Sequence, residues 1–422
     1  TPAAVTAPEA TTPPAAEAPA AASVSGTVTM WAFPMTEDDM AQIWNPLTEK
    51  FAEVYPDIQV TVEVVPWGGR REKMLTAYAG GEAPDLAYLN VADMSLWGSN
   101  AVLMPLDDMV PADAWDDMAG NLTEGLTWDG ERLMFPASIF FYAMLYNKGL
   151  FEECGLDPET PPATWDDLRV MGEAAKTKDY FLTAISTMTW DHQMVTPLWQ
   201  AGGRLFNEDF TKVQLDTDAA FDTWSLEADM FKNGWVPKEG AVGSDAEASA
   251  AAATDYWITS KQILSSNGLA SLTTNTQTQA PDISFGLCPT LKHKRQAVMA
   301  DGASWGVFKN RPAVEPVSKW VQWLIEPEQQ GFYCTVCKIM PSRTSAMSFW
   351  EAEPLVREFS EMHLPFVELN GDVTHFFQEG KLICAPYRQA AALGLSSVEE
   401  ALAGAQAEFQ TAVDEYNASK QS

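Results

Sequence analysis

The sequence predicts an α/β fold built on a parallel sheet, and three observations predict it. Ile58, Val60, Val62 and Val64 alternate strictly with Gln59, Thr61 and Glu63, the period of a half-buried strand. Trp44, Leu47, Phe51 and Val54 are spaced three, four and three, the buried stripe of a helix just before it. Leu86-Ala87-Tyr88-Leu89 is an apolar run too short for a typical helix, as expected of a buried strand. It follows a helical segment from Arg71 to Tyr78 that Gly80-Gly81 ends. With a first strand at Thr27–Phe33, closed by Pro34, the order is strand, helix, strand, helix, strand.

The remaining elements follow in chain order. Tyr55-Pro56-Asp57 stops the first helix and Pro66 closes the second strand. Trp67, Gly68, Gly69 and Arg70 form the loop that leaves it. Leu133 to Tyr146 is a long apolar, aromatic segment that Asn147-Lys148 ends. Thr164 reads as a helix N-cap, with Asp167 three residues on as a capping-box partner. A second α/β block follows through about His293, and inside it Gly243–Ala253 reads as a helix start or an exposed loop. Ile283–Leu287 and Trp305–Phe308 read as short strands. Val398, Ala401, Leu402, Ala405, Phe409, Ala412, Val413 and Tyr416 keep helical spacing to the end.

Composition excludes several function classes. Asp and Glu number 58 against 26 Lys and Arg, a formal charge of -32, which argues against nucleic acid and against a polybasic membrane contact. No run of 18 apolar residues exists, so no helical span is expected. The 422 residues suggest two to three domains. Residues 1–25 hold no aromatics and are rich in Pro, Ala and Thr. They read as a disordered tether without the features of a signal peptide, attached to something upstream such as a lipid-modified cysteine. Five cysteines leave at least one unpaired in a monomer. Cys334-Thr335-Val336-Cys337 has redox or zinc spacing but no second pair, so buried thiols or one structural disulfide are preferred over a metal site. No metal or cofactor is expected, because no HExxH, P-loop or dinucleotide fingerprint occurs.

In order, these pieces resemble the bacterial extracellular solute-binding proteins of family 1, maltose-binding-protein-like receptors of ABC importers. The matching segments include Phe51-Ala52-Glu53-Val54-Tyr55-Pro56-Asp57-Ile58, Gly80-Gly81-Glu82-Ala83-Pro84-Asp85 and Leu145-Tyr146-Asn147-Lys148-Gly149-Leu150-Phe151. Thr164-Trp165-Asp166-Asp167-Leu168, Gly202-Gly203 and Met340-Pro341-Ser342-Arg343 complete them. The resemblance implies a two-lobed periplasmic-binding-protein fold (type II) with a hinge and an interlobe ligand cleft. It places lobe one at 26–136 plus 296–345 and lobe two at 137–295 plus 346–422. It implies a monomer with two partners, a small-molecule solute and the membrane permease of an ABC importer. The implied location is the extracellular face of the bacterial membrane or the periplasm.

A sugar presents apolar C–H faces and a rim of hydroxyls, which suit aromatic planes and paired polar groups. Candidates at strand ends are Phe33, with core packing as its alternative, then Trp67 and Arg70, and Asn90 and Asp93. The resemblance adds Ser138 and Phe140 near the lobe crossing, Trp190 and Asp191, and Asp301-Gly302, where glycine lets backbone approach a ligand. Tyr387 and Arg388 could close the cleft, or Arg388 could cap a helix or pair with acids. One departure is that Asn267-Gly268 is followed by Leu269-Ala270, where many sugar receptors carry a Trp. A second ligand class, glycerol phosphates, would use Arg70 and Arg388. The rival enzyme reading takes Gly302-Ala303-Ser304-Trp305-Gly306 as a nucleophile elbow, with Asp372 and His375. It is disfavoured because an elbow needs a helix directly after the serine.

Overall fold

The computed structural model describes residues 24–118, 126–243, 246–265, 270–309, 314–350, 354–369 and 376–419. Residues 1–23 of the expected tether, Asn267-Gly268, Asp372 and His375 lie outside the described residues, as does the side chain of Asp191. The strands are β1 (Gly26–Ala32), β2 (Ile58–Val64), β3 (Leu86–Asn90), β4 (Thr127–Trp128), β5 (Glu131–Arg132) and β6 (Phe135–Phe141). They continue with β7 (Leu145–Asn147), β8 (Phe285–Leu287), β9 (Val298–Val307), β10 (Met340–Pro341) and β11 (Val367–Leu369).

The main sheet runs β10-β6-β9-β3-β1-β2, with β11 beside β9. β1 is parallel to both β2 and β3, each reached through a crossover helix, Asn45–Val54 or Arg70–Ala79. The parallel arrangement expected of the first three strands holds, and beyond β3 the sheet is mixed. β9 lies antiparallel to β3 and to β6, and β6 antiparallel to β10. The local pattern of β1–β3 carries no information about a strand that returns from far along the chain. β9 itself is longer than the expected Trp305–Phe308. It is ten residues long and buried at every position, and Asp301-Gly302 interrupts its apolar run and hides the first half.

A second ladder grows from the β7–β8 pair. Asn147 N donates to Ile263 O, Ile263 N to Phe181 O and Leu182 N to Trp235 O, so segments near 263, 181 and 235 extend it. Two hydrophobic cores correspond to the two sheets. The first takes residues between Val28 and Leu145 and between Val298 and Phe359, joined by Trp257 and Leu272. The second takes residues between Tyr146 and Leu264, Cys288 to Met299, and Phe376 to Val413.

Several local expectations hold. Thr164 and Asp167 form a full capping box at the helix Trp165–Lys176, and the final helix is Val398–Ser419. Gly243–Ala253 resolves toward helix, at Ala246–Ile258. The helix expected from Arg71 starts at Arg70, so Arg70 stands in its first turn rather than in the loop. The cysteines take the buried-thiol alternative: all five are free, four buried and Cys154 half-buried. No described helix is long and apolar enough to cross a membrane.

Close packing fixes one glycine tightly. A Cβ on Gly98 would sit 2.3 Å from the buried Trp128 indole, a rigid ring with no room to yield. Gly98→Ala should therefore cost about 1–3 kcal/mol and lower the melting temperature. Gly149→Ala, whose Cβ would meet nothing nearer than Asn147 Oδ1 at 3.5 Å, should be neutral or better; equal melting of the two variants would contradict this packing.

Candidate functional site

The carboxyl ends of β1, β2 and β3 converge on one edge of the main sheet, where open α/β sheets hold ligands. Phe33 follows β1, and its ring stacks on Trp67 with centroids 4.7 Å apart and meets Tyr88 edge-on at 5.5 Å. It is fully buried, so the core-packing alternative describes its place. Trp67 is half-buried and donates through Nε1 to Pro34 O. The Arg70 guanidinium lies 5.3 Å from the Trp67 ring centroid, a cation–π approach. Arg70 and Arg71 both reach Asp93, at 3.6 Å and 2.7 Å. Phe33, Trp67, Arg70 and Asp93 thus form one cluster, and Arg71 joins it although the sequence pattern did not single it out.

A second group lies across the sheet. Asn90 on β3 pairs in register with Ala303 on β9, which pairs with Ser138 on β6. Residues opposite each other in antiparallel strands share a face, so Asn90 and Ser138 flank the small Ala303. Asn90 Oδ1 and Ser138 Oγ are both buried without a hydrogen-bond partner among the described residues. Other buried polar atoms among the described residues also lack a partner, Trp97 Nε1, Trp224 Nε1 and the neighbouring Ser304 Oγ among them. Position beside the end of β3, rather than lack of a partner alone, therefore makes this pair a candidate for an external partner. Beside this row, Asp301 Oδ1 accepts from Gly302 N at 2.7 Å. A Cβ on Gly302 would lie 3.1 Å from Val91 Cγ2, so the backbones pass closely here.

β9 is also where the two halves of the site approach each other. The turn Val91–Asp93 packs against it from the first sheet and the turn Asp191–Val195 from the second core. On the second side Tyr142 stacks on His192 at 4.0 Å and meets Phe140 edge-on at 6.2 Å. Gln193 Oε1 accepts from Ser186 N at 2.7 Å. Tyr142 and His192 were visible in the sequence only as neighbours of candidates, and Gln193 carried no signal.

Behind that turn a pocket of about 110 Å³ opens into the second core, beside the second ladder. Tyr142, His192, Gln193, Thr183, Thr290 and His363 are among its lining residues. Thr290 Oγ1 and His363 Nδ1 are 2.7 Å apart. Burial lowers the His363 pKa from 6.5 to about 4, because a charged imidazolium is poorly solvated there.

Three sequence candidates are placed away from this edge. Trp190 is fully buried in the second core, against the helix carrying Gly380. Tyr387 donates its hydroxyl to Glu408 at 2.8 Å across the packed pair of C-terminal helices. Arg388, expected to fork onto a ligand or pair with an acid, takes the second course. Its Nε and Nη2 hold both oxygens of Glu227 at 3.0 and 2.7 Å, and Nη1 caps the carbonyls of Thr187 and Thr189. The nucleophile-elbow geometry is absent at Ser304, which sits mid-strand in β9, fully buried, with strand continuing through Val307.

Two α/β halves on either side of a shared strand, with polar groups and a pocket at their facing edges, define a two-lobed solute-binding fold of the type II class. The family model described as bacterial extracellular solute-binding protein matches residues 36–331, and the chain belongs to that family. The cyclic α-maltosyl-1,6-maltose binding protein of Arthrobacter globiformis superposes with a TM-score of 0.77 at 20% identity, over 93% of this chain and 100% of that one. The diacetylchitobiose binding protein of Streptomyces coelicolor is 22% identical over 188 residues, 44% of this chain and 42% of that protein. The sn-glycerol-3-phosphate-binding periplasmic protein of Escherichia coli is 27% identical over 159 residues, 35% of each chain. The matched region spans less than half the length of these curated relatives.

Two predictions follow from the buried polar groups. Arg388→Ala strands the Glu227 carboxylate in the second core and should cost about 3–5 kcal/mol, with Glu227→Gln in the same chain restoring part of it; chemical denaturation reads both. His363 is neutral when folded, and its folded pKa lies below its unfolded one. Its contribution is therefore whole above about pH 6.5 and is lost as pH falls from there toward about 4, by up to about 3 kcal/mol. Glu227, tied to Arg388, and His192 share that pocket. His363→Gln should flatten the pH 4–6.5 limb of the stability curve, and an unchanged limb would assign it elsewhere.

Proposed function

We propose that this protein is the extracellular substrate-binding receptor of an ABC importer, that its solute is a sugar or oligosaccharide, and that it acts as a monomer without catalytic activity. The solute lies between lobes 26–136 plus 296–345 and 137–295 plus 346–422, which close by a hinge motion. The two hydrophobic cores support that division in outline, except that Ala137–Leu145, Trp257, Leu272 and Val356–Phe359 pack in the first core and Ala297 and Met299 in the second. The observation that carries the reading is the pair of unpartnered buried atoms, Asn90 Oδ1 and Ser138 Oγ, in one row beside Asp301-Gly302. An acceptor and a hydroxyl in one row suit the hydroxyl rim of a sugar. Phe140 follows Ser138 on β6, Asp93 follows Asn90 on the next turn, and Asp191 begins the turn that packs against β9; Trp67 is assigned to the same site on the neighbouring edge. The tether serves to hold the receptor to the membrane through a lipid-modified cysteine upstream.

A glycerol-phosphate solute is the second reading, favoured by the Escherichia coli relative. Against it, Arg388 already neutralises Glu227 and Arg70 is drawn to Asp93, so a dianion would have to break pairs to gain them.

A thermal-shift panel of mono- and disaccharides, polyols and glycerol phosphates separates these readings. The cognate solute at 100 times its dissociation constant should add about 2.7 kcal/mol of stability. Asn90→Ala and Ser138→Ala should each weaken it by about tenfold or more, the worth of a lost hydrogen bond in a buried site. Ser304→Ala should leave affinity unchanged. Stabilisation by glycerol phosphates alone selects the second reading, and sugar binding indifferent to both edge variants removes this row from the site.

A further inference from the structure

The pocket in the second core has a chemistry unlike that of the polar row beside it. Its wall is built from Met144, Trp165, Leu168, Ile185, Met230 and Leu291. A hydroxyl-rich ring transferred against such a surface would lose its water without replacement hydrogen bonds, which is costly. An apolar ring or chain of matching size would gain from the same transfer.

Polar side chains such as Gln193, Thr196, Gln200 and Thr223 also line it, and two polar atoms among the lining residues are left without partners. Thr183 Oγ1 and His363 Nε2 belong to lining residues that are about 1% exposed, and neither atom has a hydrogen-bond partner among the described residues. His363 is oriented through Nδ1, which faces Thr290 Oγ1 at 2.7 Å. The remaining ring nitrogen is therefore held in place for an additional contact. The charged side chain in the lining, Glu227, is already matched by Arg388, so the pocket offers no uncompensated charge for an ionic group. A mostly apolar cavity with a few placed polar atoms is the usual form of a site for a neutral, largely apolar group.

The pocket adjoins the candidate site through one turn, although none of the row residues Asn90, Ser138, Asp301 and Gly302 lines it. Tyr142, His192 and Gln193 line it, and His192 and Gln193 belong to the turn Asp191–Val195 that packs against β9. A solute on the polar row would therefore reach the pocket by passing that turn.

We propose that the solute is a glycoside carrying a neutral apolar substituent of about aromatic-ring size, with the sugar on the Asn90–Ser138 row and the substituent in the second-core pocket. This rests on the sugar-receptor reading for the sugar half alone. Thr183 and His363 give the substituent one hydrogen bond, to a hydroxyl, ether or amide near its apolar end.

The test compares methyl and phenyl glycosides of the same sugars by calorimetry, with benzyl alcohol as a probe of the pocket alone. Tryptophan fluorescence follows the probe, because Trp165 lines the pocket. Phenyl glycosides should bind at least about tenfold tighter than their methyl counterparts, since burying a ring is worth more than one decade. Ala297→Leu, which adds bulk at a buried lining position, should erase that advantage and leave the methyl glycosides unaffected. Thr183→Val preserves shape and removes the unpaired hydroxyl, so it should fold at least as well as the parent. It serves as the second variant should Ala297→Leu misfold, and should halve or more the benzyl alcohol affinity. Equal affinities for methyl and phenyl glycosides overturn the proposal and leave the sugar receptor standing. A benzyl alcohol response with no glycoside binding supports the pocket and overturns the sugar reading. Silence to all probes overturns both.

Discussion

The rest of the structure hangs on β9. Its ten residues are buried throughout, and it pairs with β3 and β6 along its length and with β11 at its start. It touches both interiors at its start, where Val298 and Ala300 belong to the first core and Met299, between them, to the second; further on Ala303, Trp305 and Val307 belong to the first. Its register decides which side chains are buried where, because a slip of one residue turns every side chain to the other face. Three neighbouring strands hold that register. Gly302 then sits against Val91 of the turn that follows β3, and a side chain there would crowd Val91 and the Ser138 carbonyl.

Electrostatics inside this acidic protein is organised by pairs. The formal charge is -32, yet the buried and half-buried arginines are each committed to an acid: Arg70 and Arg71 to Asp93, Arg343 to Asp117, Arg388 to Glu227. Arg204 and Arg295 share Glu368, whose carboxyl burial pushes up but whose hydrogen bonds from Arg295 and Arg204 bring it below its ordinary range. Pairing of this kind offsets the desolvation of both partners and confers geometry more than net stability. It also shapes the site, since charge already compensated is poorly placed to seize an anion, whereas uncharged orphans such as Asn90 Oδ1 and Ser138 Oγ still seek partners.

Much of the first half of the fold was legible because its elements are local. The alternation of Ile58–Val64, the stripe from Trp44 to Val54 and the Gly80-Gly81 stop each encode one element by period or by backbone freedom. The capping box at Thr164 is likewise a four-residue message. β9 was half legible, for its partners lie far away in sequence and Asp301-Gly302 breaks its pattern. The candidate cluster was legible where it follows strand ends, as at Trp67, Asn90 and Asp93. It was illegible where burial decides: nothing local distinguishes Trp190, packed in a core, from an exposed stacking platform, and nothing local says that Arg388 finds Glu227.

The same point limits what aromatic content can say about ligands. Of the 16 tryptophans, Trp44, Trp97, Trp165, Trp190, Trp199, Trp224, Trp257 and Trp320 are all fully buried. An abundance of indole is thus first a property of two large cores, and a ring becomes informative only where it borders space. Trp67 does so on the first edge, stacked on Phe33 and approached by Arg70, and Tyr142 does so on the second, stacked on His192. These stacks pack aromatic rings on both sides of the candidate site. In the proposed receptor, choice among solutes would fall to polar atoms such as Asn90 Oδ1 and Ser138 Oγ, because an unpaired buried group discriminates against any solute that fails to meet it.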